Sequence, residues 1–160
     1  FRGGKGSLLE GGLRVPYFVR WPGKIKPKTV TDHLCYFTDV MPTLAEVSGA
    51  KTPDDIDGIS FLPTLLGKSG QKQHDFLYWE YMGQVAVRKG KWKAFMSRKQ
   101  AWQLFDLDKD TREENDLAKE HPDILKQMTD FAKSAHIPVK GGGWIDQDQR
   151  FVRPKGKPKK

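Results

Sequence analysis

The sequence predicts an α/β protein in two parts, the last strand and helix of an α/β domain followed by a smaller α+β unit. A glycine-rich loop runs into a short β-branched and aromatic segment, and a helix-length segment ends at a glycine. After residue 75, four apolar segments alternate with turns before one amphipathic helix. We expect residues 1–70 to end the α/β domain, residues 71–138 to form an antiparallel-sheet subdomain and residues 139–160 to be a basic, disordered tail.

The first half of the chain predicts one strand and two helices. Residues 15–21 (VPYFVRW) predict a buried strand that ends at a Pro-Gly turn. Either Thr38 or Asp39 is suited to cap a helix that carries apolar residues on one side and ends at Gly49. A short helix is predicted around residues 62–66, stopped by the glycine that follows.

The second half predicts a sheet closed by one helix. Four segments rich in β-branched and aromatic residues predict antiparallel strands over residues 76–81, 84–88, 92–96 and 102–107. Apolar residues recur at three- and four-residue steps after Pro122, which predicts an amphipathic helix ending before Pro138. Thr111 and Glu114 have the spacing of a capping box and predict a short helix before it.

The net charge of +8 is concentrated at the two ends of the chain. Residues 150–160 contain six basic residues and no acid, and residues 1–28 contain seven basic residues and one acid. The remainder is net acidic, so a uniformly basic nucleic-acid-binding protein is excluded. We expect the tail to be solvated, and electrostatic attachment to a polyanion is the alternative.

The cysteine count and the apolar runs exclude two further classes. A single cysteine excludes a disulfide framework within the chain, and no apolar run approaches the roughly 20 residues of a membrane helix. The chain opens at Phe1 with no initiator methionine and no apolar signal segment. We therefore expect a fragment whose N-terminal part is missing.

Lys5 is the leading candidate for chemistry. It lies between glycines, where an ammonium can point into a site while the backbone approaches an anion closely. The spacing is not that of a P-loop, and an exposed loop lysine is the plain structural interpretation. Glu10 and Arg14, four residues apart, are interpreted as an ion pair that shapes the loop.

Other candidates are weaker. Trp79, Glu80 and Tyr81 could line a sugar-binding rim, although at least one of the two rings is expected in the core. Cys35 lies among apolar residues and is interpreted as a small core residue, because a nucleophile needs a base and only His33 is near in sequence. The histidines lack metal-ligand spacing, so we expect no metal site in this chain.

Residues 4–16 (GKGSLLEGGLRVP) resemble the second signature of type I, arylsulfatase-like and formylglycine-dependent sulfatases, GKG-x-x-x-EGG-x-R-x-P. Further landmarks of that family follow in the same order: residues 21–23, 39–44, 57–60, 86–88, 91–93, 104–107 and 113–118. The resemblance covers roughly residues 2–136, and it is specific because many landmarks fall in sequence.

The resemblance implies an alkaline-phosphatase-like α/β domain followed by a subdomain with a four-stranded antiparallel sheet and a helix, in agreement with the two-part prediction. It implies hydrolysis of sulfate esters, with a sulfated carbohydrate as the expected substrate. The family uses a formylglycine nucleophile and calcium. Cys35 is not the modified cysteine, because Tyr-Phe-Thr follows it. The Asp and Asn calcium ligands would fall upstream of Phe1, so we expect this chain alone to be inactive.

One active-site role carries over residue by residue. The lysine of the GKG motif binds the sulfate in this family, and that lysine is Lys5. A fixed ammonium stabilises the charge that builds on the sulfate oxygens more in the transition state than in the ground state. The motif neighbours Glu10 and Arg14 are expected to shape the loop that presents Lys5.

The resemblance also implies the setting of the complete protein. Expected partners are a sulfated small molecule or glycan and the N-terminal part of the same polypeptide, with no specific nucleic acid and no membrane span. The expected location is periplasmic or secreted. Three alternatives remain at this point: a phosphoryl or phosphonate hydrolase of the same superfamily, a non-catalytic module that binds polyanions, and a subdomain that contributes packing alone.

Overall fold

The chain forms two compact units in a computed structural model that describes residues 1–98 and 100–137. One unit, the sheet unit, combines Phe1–Val15 with the chain from Phe76 onward. The other, the helical unit, is Pro16–Asp75. The opening loop therefore groups with the sheet, although the helical unit lies between them in sequence. The expected domain boundary near residue 70 concerns the parent protein and stays a prediction.

The sheet unit contains a four-stranded antiparallel sheet. Its strands are β1 (Leu77–Tyr81), β2 (Gln84–Lys89), β3 (Trp92–Ser97) and β4 (Gln103–Asp106). They lie side by side in the order of the sequence, so each strand pairs with the next one along the chain. The four predicted strands are confirmed, with small shifts at their ends.

The two faces of this sheet are buried by different partners, because successive side chains of a strand point to opposite faces. One face packs against α4 (Pro122–Ala135), which confirms the predicted long helix. The buried core on that face consists of Val85, Val87, Ala94, Leu104, Met128 and Ala132. The other face is covered by the opening loop and its one-turn helix α1 (Glu10–Leu13). The buried core there consists of Leu8, Ala86, Phe95, Phe105 and Leu107.

The short helix predicted from Thr111 and Glu114 is wrong. Residue Glu113 has a φ of +58°, a left-handed conformation that a helix cannot contain. The carboxylate of Asp110 accepts hydrogen bonds from the N–H groups of Glu114 and Asn115, both at 2.8 Å. A turn held by this aspartate therefore takes the place of the helix.

The helical unit contains a 3₁₀ turn (Phe37–Asp39), α2 (Val40–Ser48) and α3 (Leu62–Leu65). Both predicted helices are confirmed. The first ends at Gly49, whose φ of +73° gives the left-handed C-terminal residue that the sequence predicts. Among residues 1–98 and 100–137, no helix is long and apolar enough to cross a bilayer.

Asp39 organises the helical unit from a buried position. Its carboxylate accepts hydrogen bonds from the N–H groups of Tyr36 at 3.0 Å and Ile59 at 2.8 Å, and it lies 2.8 Å from Nε2 of His74. Its carbonyl oxygen accepts the hydroxyl of Thr43 at 2.7 Å. The predicted cap residue therefore closes the 3₁₀ turn with its side chain and joins α2 to two other segments.

The strand predicted over residues 15–21 is wrong. Four of its apolar side chains are exposed (Val15, Tyr17, Phe18 and Val19), and Phe18 is 91% exposed. A strand needs a neighbour to satisfy its N–H and C=O groups, and the helical unit contains no strand. The β-branched and aromatic composition was sufficient to suggest a strand, but it could not supply the pairing partner.

We predict that Met128→Ala weakens the packing of α4 on the sheet. Met128 is fully buried in the core, so its truncation should lower the opening free energy of β2 and β3 by about 2–5 kcal/mol. Native-state amide hydrogen exchange measures this quantity. Gln127→Ala, an exposed change on the same helix, should stay within about 0.5 kcal/mol of wild type. Equal effects of the two changes would contradict the packing described here.

Candidate functional site

Lys5 lies in a tight turn, Gly4–Ser7, closed by a 2.9 Å hydrogen bond from the N–H of Ser7 to the carbonyl oxygen of Gly4. Gly6 follows it with a φ of +85°, the left-handed conformation required at the third position of a type II turn. The side chain of Lys5 is exposed and makes no hydrogen bond or ion pair with residues 1–98 and 100–137. Its ammonium is therefore not occupied by this part of the chain.

The glycines of the EGG segment let the loop fold back over α1. A Cβ on Gly11 would lie 2.6 Å from the carbonyl oxygens of Arg2 and Gly3. A Cβ on Gly12 would lie 2.0 Å from the carbonyl oxygen of Ser7. Both distances are too short for a side chain, so the close approach of backbone to backbone requires glycine at these two positions.

Glu10 is buried beneath this loop and is surrounded by cations. One carboxylate oxygen lies 2.9 Å from Nζ of Lys93, and the other lies 2.9 Å from Nε of Arg14 and 3.6 Å from Nη1 of Arg88. The ion pair with Arg14 that the sequence suggested is therefore present. Arg88 and Lys93 come from neighbouring strands, so the carboxylate fastens α1 to the sheet.

Lys93 is fully buried and has a second acid as a partner. Its Nζ lies 2.8 Å from Oε1 of Glu113, whose own side chain is fully buried. The other oxygen of Glu113 accepts the N–H of Glu10 at 2.7 Å, and Arg2 donates to the carbonyl oxygen of Glu113 at 2.5 Å. The buried carboxylates Glu10 and Glu113 and the buried Lys93, with Arg88 and the partly exposed Arg14 around them, are called the buried charge cluster below.

The charge state of Glu10 follows from its neighbours. Burial raises the pKa of a carboxyl group, but the positive charges of Lys93, Arg88 and Arg14 outweigh burial and hold the pKa of Glu10 below its usual value. The group is ionised near neutral pH and engaged by three cations. This favours a loop-shaping role over proton transfer.

The three suggested rim residues do not share a face of the sheet. Residues Trp79 and Tyr81 project to the face covered by the opening loop, and Glu80 projects to the opposite face. There Glu80 accepts the hydroxyl of Tyr78 at 2.6 Å and lies 2.9 Å from Nδ1 of His136. Glu80 is thus held on the side away from the Lys5 turn.

The two rings have different surroundings. Trp79 packs against the buried core of the loop-covered face. Tyr81 is 49% exposed, and its Cε1 lies 3.9 Å from the position that a Cβ on Gly6 would occupy. Tyr81 is therefore beside the turn that carries Lys5, and its role as a substrate rim residue stays a prediction.

Cys35 and His33 do not form a nucleophile and base. Burial, followed by the charge of Asp39, raises the pKa of the Cys35 thiol, so the thiol stays protonated near neutral pH. Nδ1 of His33 lies 3.2 Å from the side-chain amide nitrogen of Gln73. Burial lowers the pKa of His33 despite the opposing charge of Asp39. The structure supports a packing role for Cys35.

Metal ligands do not cluster in the part of the chain that the structure describes. Residues 1–98 and 100–137 contain no group of three or more His, Cys, Asp or Glu side chains that could hold an ion. The resemblance places the calcium ligands upstream of Phe1, so the calcium site of the complete protein stays a prediction. The suggested polyanion-binding residues 150–160 lie outside the described residues.

Three further residues were not predicted from the sequence: Lys93, Glu113 and Gln84, the last of which contacts the Lys5 turn. A signal existed for Lys93, because its strand position is in phase with Phe95 and therefore on a buried face. For Glu113 and Gln84 there was none, because their partners are more than 70 residues away in sequence.

Residues 4–135 match the family described as N-sulphoglucosamine sulphohydrolase, C-terminal. This match covers most of the chain. The protein therefore belongs to the type I sulfatase family, of which this chain is a C-terminal portion. The alkaline-phosphatase-like fold class and the four-stranded C-terminal subdomain are confirmed with it.

Related proteins are similar over most of this chain. An uncharacterized sulfatase of Schizosaccharomyces pombe is 36% identical over 79% of the chain and 26% of that protein. N-acetylgalactosamine-6-O-sulfatase of Bacteroides thetaiotaomicron is 30% identical over 84% of the chain and 29% of that protein. A crystal structure of Ps i-CgsB superposes with a TM-score of 0.72 at 29% identity, covering 83% of this chain and 31% of that one. The chain thus spans about a quarter to a third of the length of these relatives.

We predict that Lys93→Met in the complete protein detaches α1 from the sheet. The change leaves two buried carboxylates without their shared cation, so the opening free energy of β3 should fall by about 3–5 kcal/mol. Amide hydrogen exchange measures the change. Lys126→Met, which removes an exposed lysine 2.7 Å from Asp130, should have a much smaller effect, because solvent screens exposed ion pairs. A loss below 1 kcal/mol for Lys93→Met would contradict the cluster.

The lowered pKa of Glu10 predicts a pH dependence. A depressed carboxyl pKa stabilises the fold above the pKa of an unfolded glutamate, about 4.3, and this stabilisation is lost as pH falls through the lower folded pKa. Glu10→Gln removes the titrating group. The opening free energy of β3 should therefore fall less steeply below pH 4.3 in Glu10→Gln than in wild type. Glu120→Gln, an exposed control, should keep the wild-type slope.

Proposed function

We propose that the complete protein hydrolyses sulfate esters and that Lys5 binds the sulfate group. Membership of the sulfatase family supports the reaction class. The observation that carries the role of Lys5 is its presentation: an ammonium without a partner in the described chain stands on a glycine turn. The helix α1, which follows this turn, is anchored to the sheet by the buried charge cluster.

The proposed chemistry of Lys5 is electrostatic. As the bond between sulfur and the ester oxygen breaks, negative charge grows on the oxygens, and a fixed ammonium stabilises it without having to reorganise. The turn restricts the backbone on both sides of Lys5, which limits the directions in which the side chain can leave the loop. The formylglycine and calcium that the resemblance implies would come from residues outside this chain.

We propose a sulfated carbohydrate as the substrate class. The name of the Bacteroides thetaiotaomicron relative, N-acetylgalactosamine-6-O-sulfatase, supports this class. The exposed ring of Tyr81 beside the Lys5 turn also supports it, because aromatic rings stack on the apolar faces of sugars. Steryl-sulfatase of Rattus norvegicus is 34% identical over 86% of this chain and 30% of that protein, so a sterol sulfate is the comparison substrate.

We propose that the helical unit packs against the N-terminal part of the same polypeptide. It exposes large apolar side chains, which mark interaction surfaces when they cluster: Tyr17, Phe18, Val30, Phe37, Met41, Leu44 and Val47. The relatives are three to four times as long as the matched region, which leaves enough chain to cover these side chains.

Secretion or a periplasmic location is proposed from family membership. The division into residues 1–70, 71–138 and 139–160 is proposed on the same basis.

Two of the alternatives to sulfate ester hydrolysis that were named from the sequence give the chain another function, and the comparisons bear on the first of them. A phosphoryl or phosphonate hydrolase is not favoured, because the matching family and the relatives named above are sulfatases. Polyanion binding by residues 150–160 is the second alternative, and it is compatible with sulfatase activity.

We predict that Lys5→Met in the complete protein lowers kcat/KM for a galactosamine 6-sulfate substrate. One missing charge stabiliser should remove roughly 2–4 kcal/mol of transition-state stabilisation. Turnover is measured against a steryl sulfate and the matching phosphate ester as comparison substrates. Lys119→Met, an exposed lysine far along the chain, should leave turnover unchanged. Near-wild-type activity of Lys5→Met would remove Lys5 from the site, and faster turnover of the phosphate ester would overturn the reaction class.

A further inference from the structure

The side chain of Gln84 binds two backbone groups, one within the Lys5 turn and one just after it. Its Nε2 donates to the carbonyl oxygen of Gly6 at 2.9 Å, and its Oε1 accepts the N–H of Leu8 at 3.2 Å. Gly6 directly follows Lys5. We propose that Gln84 is a positioning residue that fixes the direction in which Lys5 presents its ammonium. This inference rests on the sulfate-binding role proposed for Lys5.

A primary amide is suited to this task. Its N–H donor and its carbonyl acceptor are bonded to the same carbon. The donor meets the carbonyl oxygen of Gly6, and the acceptor meets the N–H of Leu8. A carboxylate would repel the carbonyl oxygen of Gly6, and an aliphatic side chain would leave both backbone groups to water. The contact is therefore specific in chemistry as well as in shape.

Gln84 is held on a rigid part of the sheet. It is the first residue of β2 and pairs with Tyr81 on one side and Ser97 on the other. Side-chain alternation puts it on the same face as Arg88, which contacts Glu10 of the buried charge cluster. Strand β2 thus contacts the opening loop at two points. Arg88 contacts Glu10, and Gln84 contacts Gly6, which is next to Lys5.

The two points differ in what they hold. The buried charge cluster and the core residue Leu8 attach α1 and its flanking loop to the sheet. The bonds of Gln84 are partly exposed, so they add little to stability. Loss of Gln84 therefore leaves the loop attached and loosens the turn. Catalysis is more sensitive than stability to such a change, because a misplacement of about 1 Å can cost up to about 100-fold in rate.

A double-mutant cycle in the complete protein tests this role. Gln84→Met keeps the length of the side chain and removes both hydrogen bonds. We expect kcat/KM for the sulfate ester to fall on the order of tenfold, with the melting temperature close to that of wild type. In the Lys5→Met background the same change should have no further effect, because Gln84 acts through Lys5. Gln127→Met, the same exchange at an exposed position of α4, should leave kcat/KM unchanged in both backgrounds.

The outcomes separate this inference from the proposed function. If Lys5→Met loses activity and Gln84→Met does not, or if their effects multiply, the positioning role is overturned and the sulfatase role of Lys5 stands. If Lys5→Met keeps activity, the role of Lys5 fails and the positioning role fails with it. Gln84→Asn decides the matter should Gln84→Met not fold, because it keeps the amide on a side chain too short to reach both backbone groups.

Discussion

The fold of the sheet unit depends on a lysine that is buried between two carboxylates. Lys93 alone would be far too costly to bury, and so would Glu10 or Glu113. Lys93 lies 2.8–2.9 Å from both carboxylates. Arg14 and Arg88 supply further positive charge to Glu10, and Glu113 accepts a backbone N–H. The cluster therefore forms only when the opening loop, β3 and the segment after β4 are all in place.

This requirement explains why a loop at the start of the chain belongs with a sheet that begins at residue 77. The loop has too many glycines to fold by its own propensity, and those glycines are needed because backbone approaches backbone at Gly11 and Gly12. Contacts with the sheet fix the conformation of the loop. The residue with proposed chemistry, Lys5, is thus exposed on a segment whose conformation is determined by buried charges several residues away.

The sequence predicted the regular elements well because their signals are local. The apolar spacing of α4, the glycine that ends α2 and the alternation in β1–β4 can each be seen within one short window. Two predictions failed where local signals were incomplete. Residues 15–21 have strand composition but no neighbouring strand, and Thr111 has capping-box spacing in a segment where Glu113 takes a left-handed conformation.

The sequence by itself determined the family, the four-stranded sheet and the candidacy of Lys5, because signature motifs and side-chain periodicity are properties of adjacent residues. Tertiary structure alone decided that Glu10 meets Lys93 and Glu113, that Gln84 reaches the Lys5 turn, and that Glu80 faces away from it. Contacts across 70 residues or more depend on which face each strand presents and on how the loop crosses it. That geometry is set by the joint burial of all these groups, and no short stretch of sequence contains it.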